Sequence, residues 1–215
     1  SRMEAYVEEL SRFGAARYPD LPFGVLRRAR DLGGRLLGAR ADQVFFVRST
    51  TQGLAVAATG IPFAEGDNLV LVEGEFPANL RPWLPLRKRG VDVRLVPQRN
   101  GRVLLDDLAE AVDARTRALS ISFVQYSTGF RVDLAAVAEL CRRHDTLLVV
   151  DAIQGLGVLP LNVQSMGVDF LSADSHKWLL GPEGVGLGFA SDRALDRIDQ
   201  SVHGWFSVRE PFDFD

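Results

Sequence analysis

The order of apolar runs along the chain predicts an α/β fold: a mainly parallel seven-stranded sheet with helices on both faces. Seven short runs rich in Val, Leu, Ile and Phe recur, and most are separated by stretches of helical periodicity. That alternation is the pattern of parallel strands joined by crossover helices, with both sheet faces covered. Size agrees. The 215 residues, 47% hydrophobic and 25% charged, have the composition of one globular unit. A chain of this length buries roughly 70% of its unfolded surface without a disulfide or metal staple.

Taken in order, the chain opens on two amphipathic helical patterns, Arg2–Arg17 and Phe23–Leu37. The strand candidates follow: Val44–Arg48, Asn68–Glu73, Asp92–Pro97, Ala118–Gln125, Leu147–Asp151, Asp169–Ala173 and Val185–Ala190. Between them lie helical patterns at Thr51–Gly60, Pro77–Arg89, Leu104–Val112 and Leu134–His144. The run Arg87-Lys88-Arg89-Gly90 reads as a helix end, with cations on the last turn and a glycine to close it. No repeat or low-complexity linker interrupts the series. Because the chain begins directly on a helix and stops at VREPFDFD, it reads as a piece of a longer protein.

Several classes of function are disfavoured early. A formal net charge of −3, evenly scattered, offers no electrostatic attraction for a nucleic acid. The N-terminus lacks the basic start and apolar stretch of a signal peptide, and no run is as long as a membrane span. A cytoplasmic location is expected. The lone Cys141 sits at a core-facing helical position and reads as a buried structural thiol. Neither a phosphate-binding loop nor a dinucleotide fingerprint occurs. Hydrolase motifs are absent, and His144, His176 and His203 lack metal-ligand spacing, so no metal is expected.

Ligands of open α/β sheets sit beyond the carboxyl ends of the strands. Here those ends carry Arg48-Ser49-Thr50-Thr51, Glu73-Gly74-Glu75-Phe76, Gln125-Tyr126-Ser127, Asp151-Ala152-Ile153-Gln154 and Asp174-Ser175-His176-Lys177. Asp151 follows Leu147-Leu148-Val149-Val150, so a carboxylate emerges from a strand buried on both faces. It needs a cation: a metal, a lysine or a protonated heterocycle. A turn-capping Asp is the structural alternative. Lys177 precedes Trp178-Leu179-Leu180-Gly181-Pro182, an apolar setting suited to a Schiff-base lysine, although a solvated lysine beside a Gly-Pro turn fits the same letters. Thr50 and Thr51 stand at a strand-to-helix junction, where free amides favour an anion and a plain N-cap is the competing reading.

Together, VVDAIQ and SADSHKWLLGPEGVGLGF resemble the class V aminotransferase family. These are the fold-type I pyridoxal-phosphate enzymes that include cysteine desulfurases, kynureninases and isopenicillin N epimerase-like proteins. The likeness rests on the spacing of Asp151 to Gln154 and Lys177, three and 26 residues, and continues through RSTTQG, EFPANLRPW and SFVQYSTGFRVDL. It implies that residues 1–215 form the large, cofactor-binding domain, without an N-terminal segment and a C-terminal small domain.

The resemblance further implies pyridoxal 5'-phosphate as cofactor, bound through Lys177, with Asp151 on the pyridine nitrogen and Gln154 on the phenolic oxygen. Thr51 with Thr50 would take the phosphate, Ser175 and His176 adding contacts. Phe76 matches the position that stacks on the ring, where desulfurases usually carry His and kynureninase-like members Phe. Tyr126 replaces an Asn of the desulfurases. HGWFSV resembles a segment that reaches a neighbouring subunit's phosphate, which implies a homodimer with shared sites, Trp205 and Ser207 acting in trans. The substrate would be an amino acid or amine, the reaction a transamination or lyase-type step. Two other classes stand beside this one: a domain of this fold that does not catalyse, and a nucleotide-binding α/β protein with Asp151 on Mg²⁺.

Overall fold

The computed structural model describes residues 2–14, 20–201, 203–210 and 213. Seven strands form one sheet: β1 (Val44–Val47), β2 (Asn68–Val72), β3 (Asp92–Val96), β4 (Thr116–Ser122), β5 (Leu147–Asp151), β6 (Phe170–Asp174) and β7 (Gly186–Ala190). Their spatial order is β1-β7-β6-β5-β4-β2-β3. The ladders β2 to β3, β2 to β4, β4 to β5 and β5 to β6 are parallel. Only β7 runs against the rest, pairing antiparallel with both β6 and β1. The expected mainly parallel seven-stranded sheet is present.

The period-2 alternation of side chains divides each central strand between two cores. From β2, Val70 and Val72 face one core while Leu69 and Leu71 face the other. β5 splits in the same way, Leu148 and Val150 against Leu147 and Val149. The first core is closed by α4 (Leu105–Ala111) and α5 (Leu134–Arg143), which present Leu108, Val137, Ala138 and Cys141. The second is closed by α3 (Thr50–Gly60) and by Trp83 and Leu86. At about 25 cal/mol per Å² of apolar surface, this two-sided burial is the main term holding the sheet.

Two further helices precede the sheet, α1 (Arg2–Phe13) and α2 (Asp20–Leu37). Of the expected Arg2–Arg17, α1 covers Arg2–Phe13; residues 15–17 lie outside the described residues. A short α6 (Asp192–Leu195) was not expected, although Ser191 is a plain N-cap, accepting the Ala194 amide at 3.1 Å.

The expected helix Pro77–Arg89 does not form. Two 3-10 turns stand in its place, Pro77–Asn79 and Leu84–Arg89. Pro82 and Pro85 supply no amide in the interior of the segment, and an α-helix across them would lose both bonds and clash with the preceding turn, whereas Pro77 at the first position would be tolerated. The end of the segment is as expected: Gly90 closes it in the left-handed region with φ 78°.

Candidate active site

With β7 reversed, the carboxyl ends of the other six strands share one edge, and the residues singled out above, Trp205 and Ser207 aside, lie on or just past those ends. Asp151 is deeply buried. It ends β5 at 2% exposure, and its Oδ1 accepts the Ile153 amide at 3.1 Å. No ion pair among the described residues reaches it. Burial in apolar surroundings disfavours the anion and pushes its pKa up to about 7. The Glu75 charge adds to that rise, while the Ile153 amide and the Lys177 charge oppose it. Gln154 follows in the half-buried turn after β5, and its side chain makes no hydrogen bond among the described residues.

Lys177 leaves the end of β6 and lies half-buried. Its Nζ stands 5.7 Å from the centroid of the Phe76 ring. Phe76 in turn meets Tyr126 edge to face, with centroids 5.3 Å apart and planes at 73°. A primary amine and two aromatic rings from three different strand ends thus form one wall. Both rings are half exposed, so the wall is open to a ligand. The apolar residues that follow Lys177 in sequence do not enclose it: Trp178 is half exposed and Leu180 is 89% exposed.

Between β1 and β6 sits the N-terminus of α3. Ser49 caps it, its Oγ accepting the Gln52 amide at 3.2 Å. The amides of Thr50 and Thr51 have no intrahelical acceptor, as at any helix start. The two threonines differ in setting. Thr50 is buried, its Oγ1 accepting the Asp174 amide at 2.9 Å and its carbonyl accepting the Ser172 hydroxyl at 3.2 Å, so it ties the helix to β6. Thr51 is exposed at the same helix end, where amides and dipole favour an anion. Gly53 allows this close seating: a Cβ there would lie 2.2 Å from Ser172 Oγ.

Ser175 and His176 are engaged locally. Ser175 Oγ donates to the Pro182 carbonyl at 2.8 Å, and its amide donates to Asp174 Oδ1 at 2.7 Å. His176 Nδ1 lies 3.2 Å from Asp174 Oδ2. Trp205 begins a single 3-10 turn, Trp205–Ser207, well past the sheet in sequence and half exposed. The hydroxyl of Ser207 accepts from Gln200 Nε2 at 2.7 Å and from the Gly204 amide at 2.8 Å.

One residue of this edge received no role from the sequence. Glu75 is 4% exposed, and its carboxylate accepts three bonds: the Ser122 amide at 2.7 Å, Gln125 Nε2 at 2.9 Å and the Ser122 hydroxyl. In the letters it sits in Glu73-Gly74-Glu75, which reads as a solvated loop. The only signal was its place at a strand end, two residues before Pro77, which opens a 3-10 turn.

Residues 24–211 match the aminotransferase class-V family. A cysteine desulfurase of Klebsiella pneumoniae is 36% identical over 163 residues, 74% of this chain and 40% of its own length. The uncharacterized aminotransferase YcbU of Bacillus subtilis is 30% identical over 185 residues, 86% of this chain and 50% of its own. Among solved structures, the cystine C–S lyase C-DES in complex with its reaction product, cysteine persulfide, superposes with a TM-score of 0.88 at 25% identity, covering 96% of this chain and 56% of that one. The cysteine desulfurase CsdA of Escherichia coli gives a TM-score of 0.78 at 26% identity, over 83% of this chain and 46% of that one. The chain spans about half the length of the curated relatives it matches.

Proposed function

The chain belongs to the class V aminotransferase family, and from that premise we propose that it binds pyridoxal 5'-phosphate at the carboxyl edge of its sheet and acts on an amino acid or amine by transamination or a lyase-type step. The observation that carries this reading is Asp151: a carboxylate 2% exposed, with no ion pair among the described residues, at a strand end beside an amine and an aromatic wall. The donor set fits the group. A buried carboxylate lacking a cation matches a protonated ring nitrogen, spare helix amides match a phosphate, and an amine beside an open phenyl face matches a flat aldehyde.

When bound, the cofactor supplies an electron-withdrawing ring that stabilises negative charge at the substrate carbon. The chain's own residues do the rest. Asp151 holds a proton on the ring nitrogen, because pairing with a cation relieves the cost of ionising it where it is buried. Lys177 binds through Nζ and, when that amine is free, moves a proton to or from the substrate carbon. Phe76 covers a ring face and transfers no proton, so proton movement falls to Lys177. Gln154 and the Tyr126 hydroxyl serve the phenolic oxygen. The α3 N-terminus takes the phosphate through Thr51 and the amides, with Thr50 fixing the helix. Ser175 and His176 line the phosphate side. The working unit in this reading is a homodimer with shared sites, Trp205 and Ser207 of each subunit serving the other's phosphate.

Borohydride treatment after loading with pyridoxal phosphate tests the assignment. Peptide mapping is expected to find the cofactor fixed on the peptide that holds Lys177, and Lys177→Ala is expected to abolish it. Labelling elsewhere overturns the reading.

A further inference from the structure

Glu75 is the second buried carboxylate of this edge, and nothing assigned so far explains it. Its three hydrogen bonds all run to β4 or the segment after it. Ser122, which supplies two of them, is the direct partner of Asp151 in the β4 to β5 ladder, and the Phe123 amide donates to the Asp151 carbonyl at 2.9 Å. The residue after Glu75 is Phe76. The residue after Gln125 is Tyr126. The bond between Glu75 and Gln125 therefore joins the residues directly before Phe76 and Tyr126, the aromatic pair, whose Phe76 ring faces Lys177.

We propose that Glu75 is a positioning residue for the cofactor site: its carboxylate clips the end of β2 to the end of β4, sets the Phe76–Tyr126 pair against Lys177, and brings a second negative charge within reach of Asp151. The proposal rests on the cofactor reading for the identity of the cation that Asp151 receives. The clip itself does not. Three donors on one buried carboxylate compensate its desolvation. A second anion nearby makes a proton or cation at Asp151 more favourable, in line with the rise in the Asp151 pKa to which the Glu75 charge contributes. The charged groups acting on Asp151 are Glu75, from the segment after β2, and Lys177, from the segment after β6, with opposite signs.

The variants Glu75→Gln and Glu75→Ala separate charge from clip. In Glu75→Gln the amide oxygen can still accept from Ser122 N and Gln125, and the Ser122 hydroxyl can turn to accept from the new NH₂. In the full chain without cofactor, carbon-13 carboxyl labelling of aspartate follows the Asp151 resonance, identified by its loss in Asp151→Asn. Glu75→Gln is expected to lower the Asp151 midpoint by roughly one pH unit, and Glu75→Asp to restore it. The Phe76–Tyr126 ring contact, read by nuclear Overhauser effects, is expected to persist in Glu75→Gln and to vanish in Glu75→Ala. Should Glu75→Ala fail to fold, Gln125→Ala reads the clip instead, and the ring contact is expected to weaken. An Asp151 midpoint unmoved by Glu75→Gln overturns the electrostatic role; a ring contact intact in Glu75→Ala or Gln125→Ala overturns the clip. These readouts need no cofactor, so a missing adduct on Lys177 sinks the cofactor reading and leaves them standing. An adduct together with unmoved readouts sinks only the role of Glu75.

Discussion

A carboxylate withdrawn from water at a strand end has a cost that depends on pH, and the sign of that dependence marks Asp151. Its folded-state pKa is raised from 3.8 to about 7. Between those values the folded chain holds a proton that the unfolded chain has lost, so stability falls as pH rises through that window and stays low above about 7. The full penalty is of the order of 4 kcal/mol. Asp151→Asn is therefore expected to stabilise the cofactor-free protein near pH 8, with the gain shrinking toward pH 4; urea unfolding at the two ends of that range checks it. A gain that does not vary with pH would remove desolvation as the cause. Cys141 shows the same physics in a group with no such use: burial pushes its thiol up to about 12, the Asp169 charge adds to this, and Arg193 and Arg142 partly offset it. At this scale some residues of the candidate site carry a signal in the sequence. Asp151 stands out as a charge after an apolar run, and Lys177 as one that precedes an apolar stretch. Glu75 does not, because its burial comes from Ser122 and Gln125, some 50 residues away in sequence.

At the scale of elements, β2 and β5 were the most legible strands, because both sheet faces are buried there and each is a nearly continuous apolar run. The segment 77–89 was misread because its apolar spacing suited a helix while its interior prolines, Pro82 and Pro85, forbade one. The small residues of β7 tell how the antiparallel strand fits between β1 and β6. A Cβ on Gly186 would lie 2.4 Å from the Ala173 carbonyl oxygen, and one on Gly188 2.2 Å from the Phe45 ring. A side chain can yield, but the Ala173 carbonyl belongs to the neighbouring strand β6, whose next residue, Asp174, pairs with Gly186 and leads into Lys177. Gly186→Ala is expected to cost about 3 kcal/mol by overpacking. It should also weaken borohydride capture at Lys177, since the end of β6 must shift. Denaturant midpoints and adduct yield measure the two effects, and an unchanged midpoint would mean that the β6 to β7 pairing has more slack than these distances allow.

For the whole molecule, the remaining question is where the open side of the aromatic wall finds its cover. Phe76, Tyr126, Trp178 and Leu180 are all exposed near the carboxyl edge, an unusual grouping for a surface in contact only with water. In a dimer with shared sites, each site takes Lys177 from one subunit and Trp205 from the other. Such a dimer predicts complementation. A Lys177→Ala chain and a Trp205→Ala chain are each impaired alone, yet a mixed dimer has one site in which both lesions meet and one in which neither is present. Random pairing of equal amounts in the full protein is expected to return about a quarter of wild-type turnover, because half of the dimers are mixed and each has one intact site of two. If Trp205 serves its own chain, no site in the mixture is intact, and activity stays at the average of the two variants. Turnover assayed after co-refolding, against the two variants mixed without refolding, separates these outcomes.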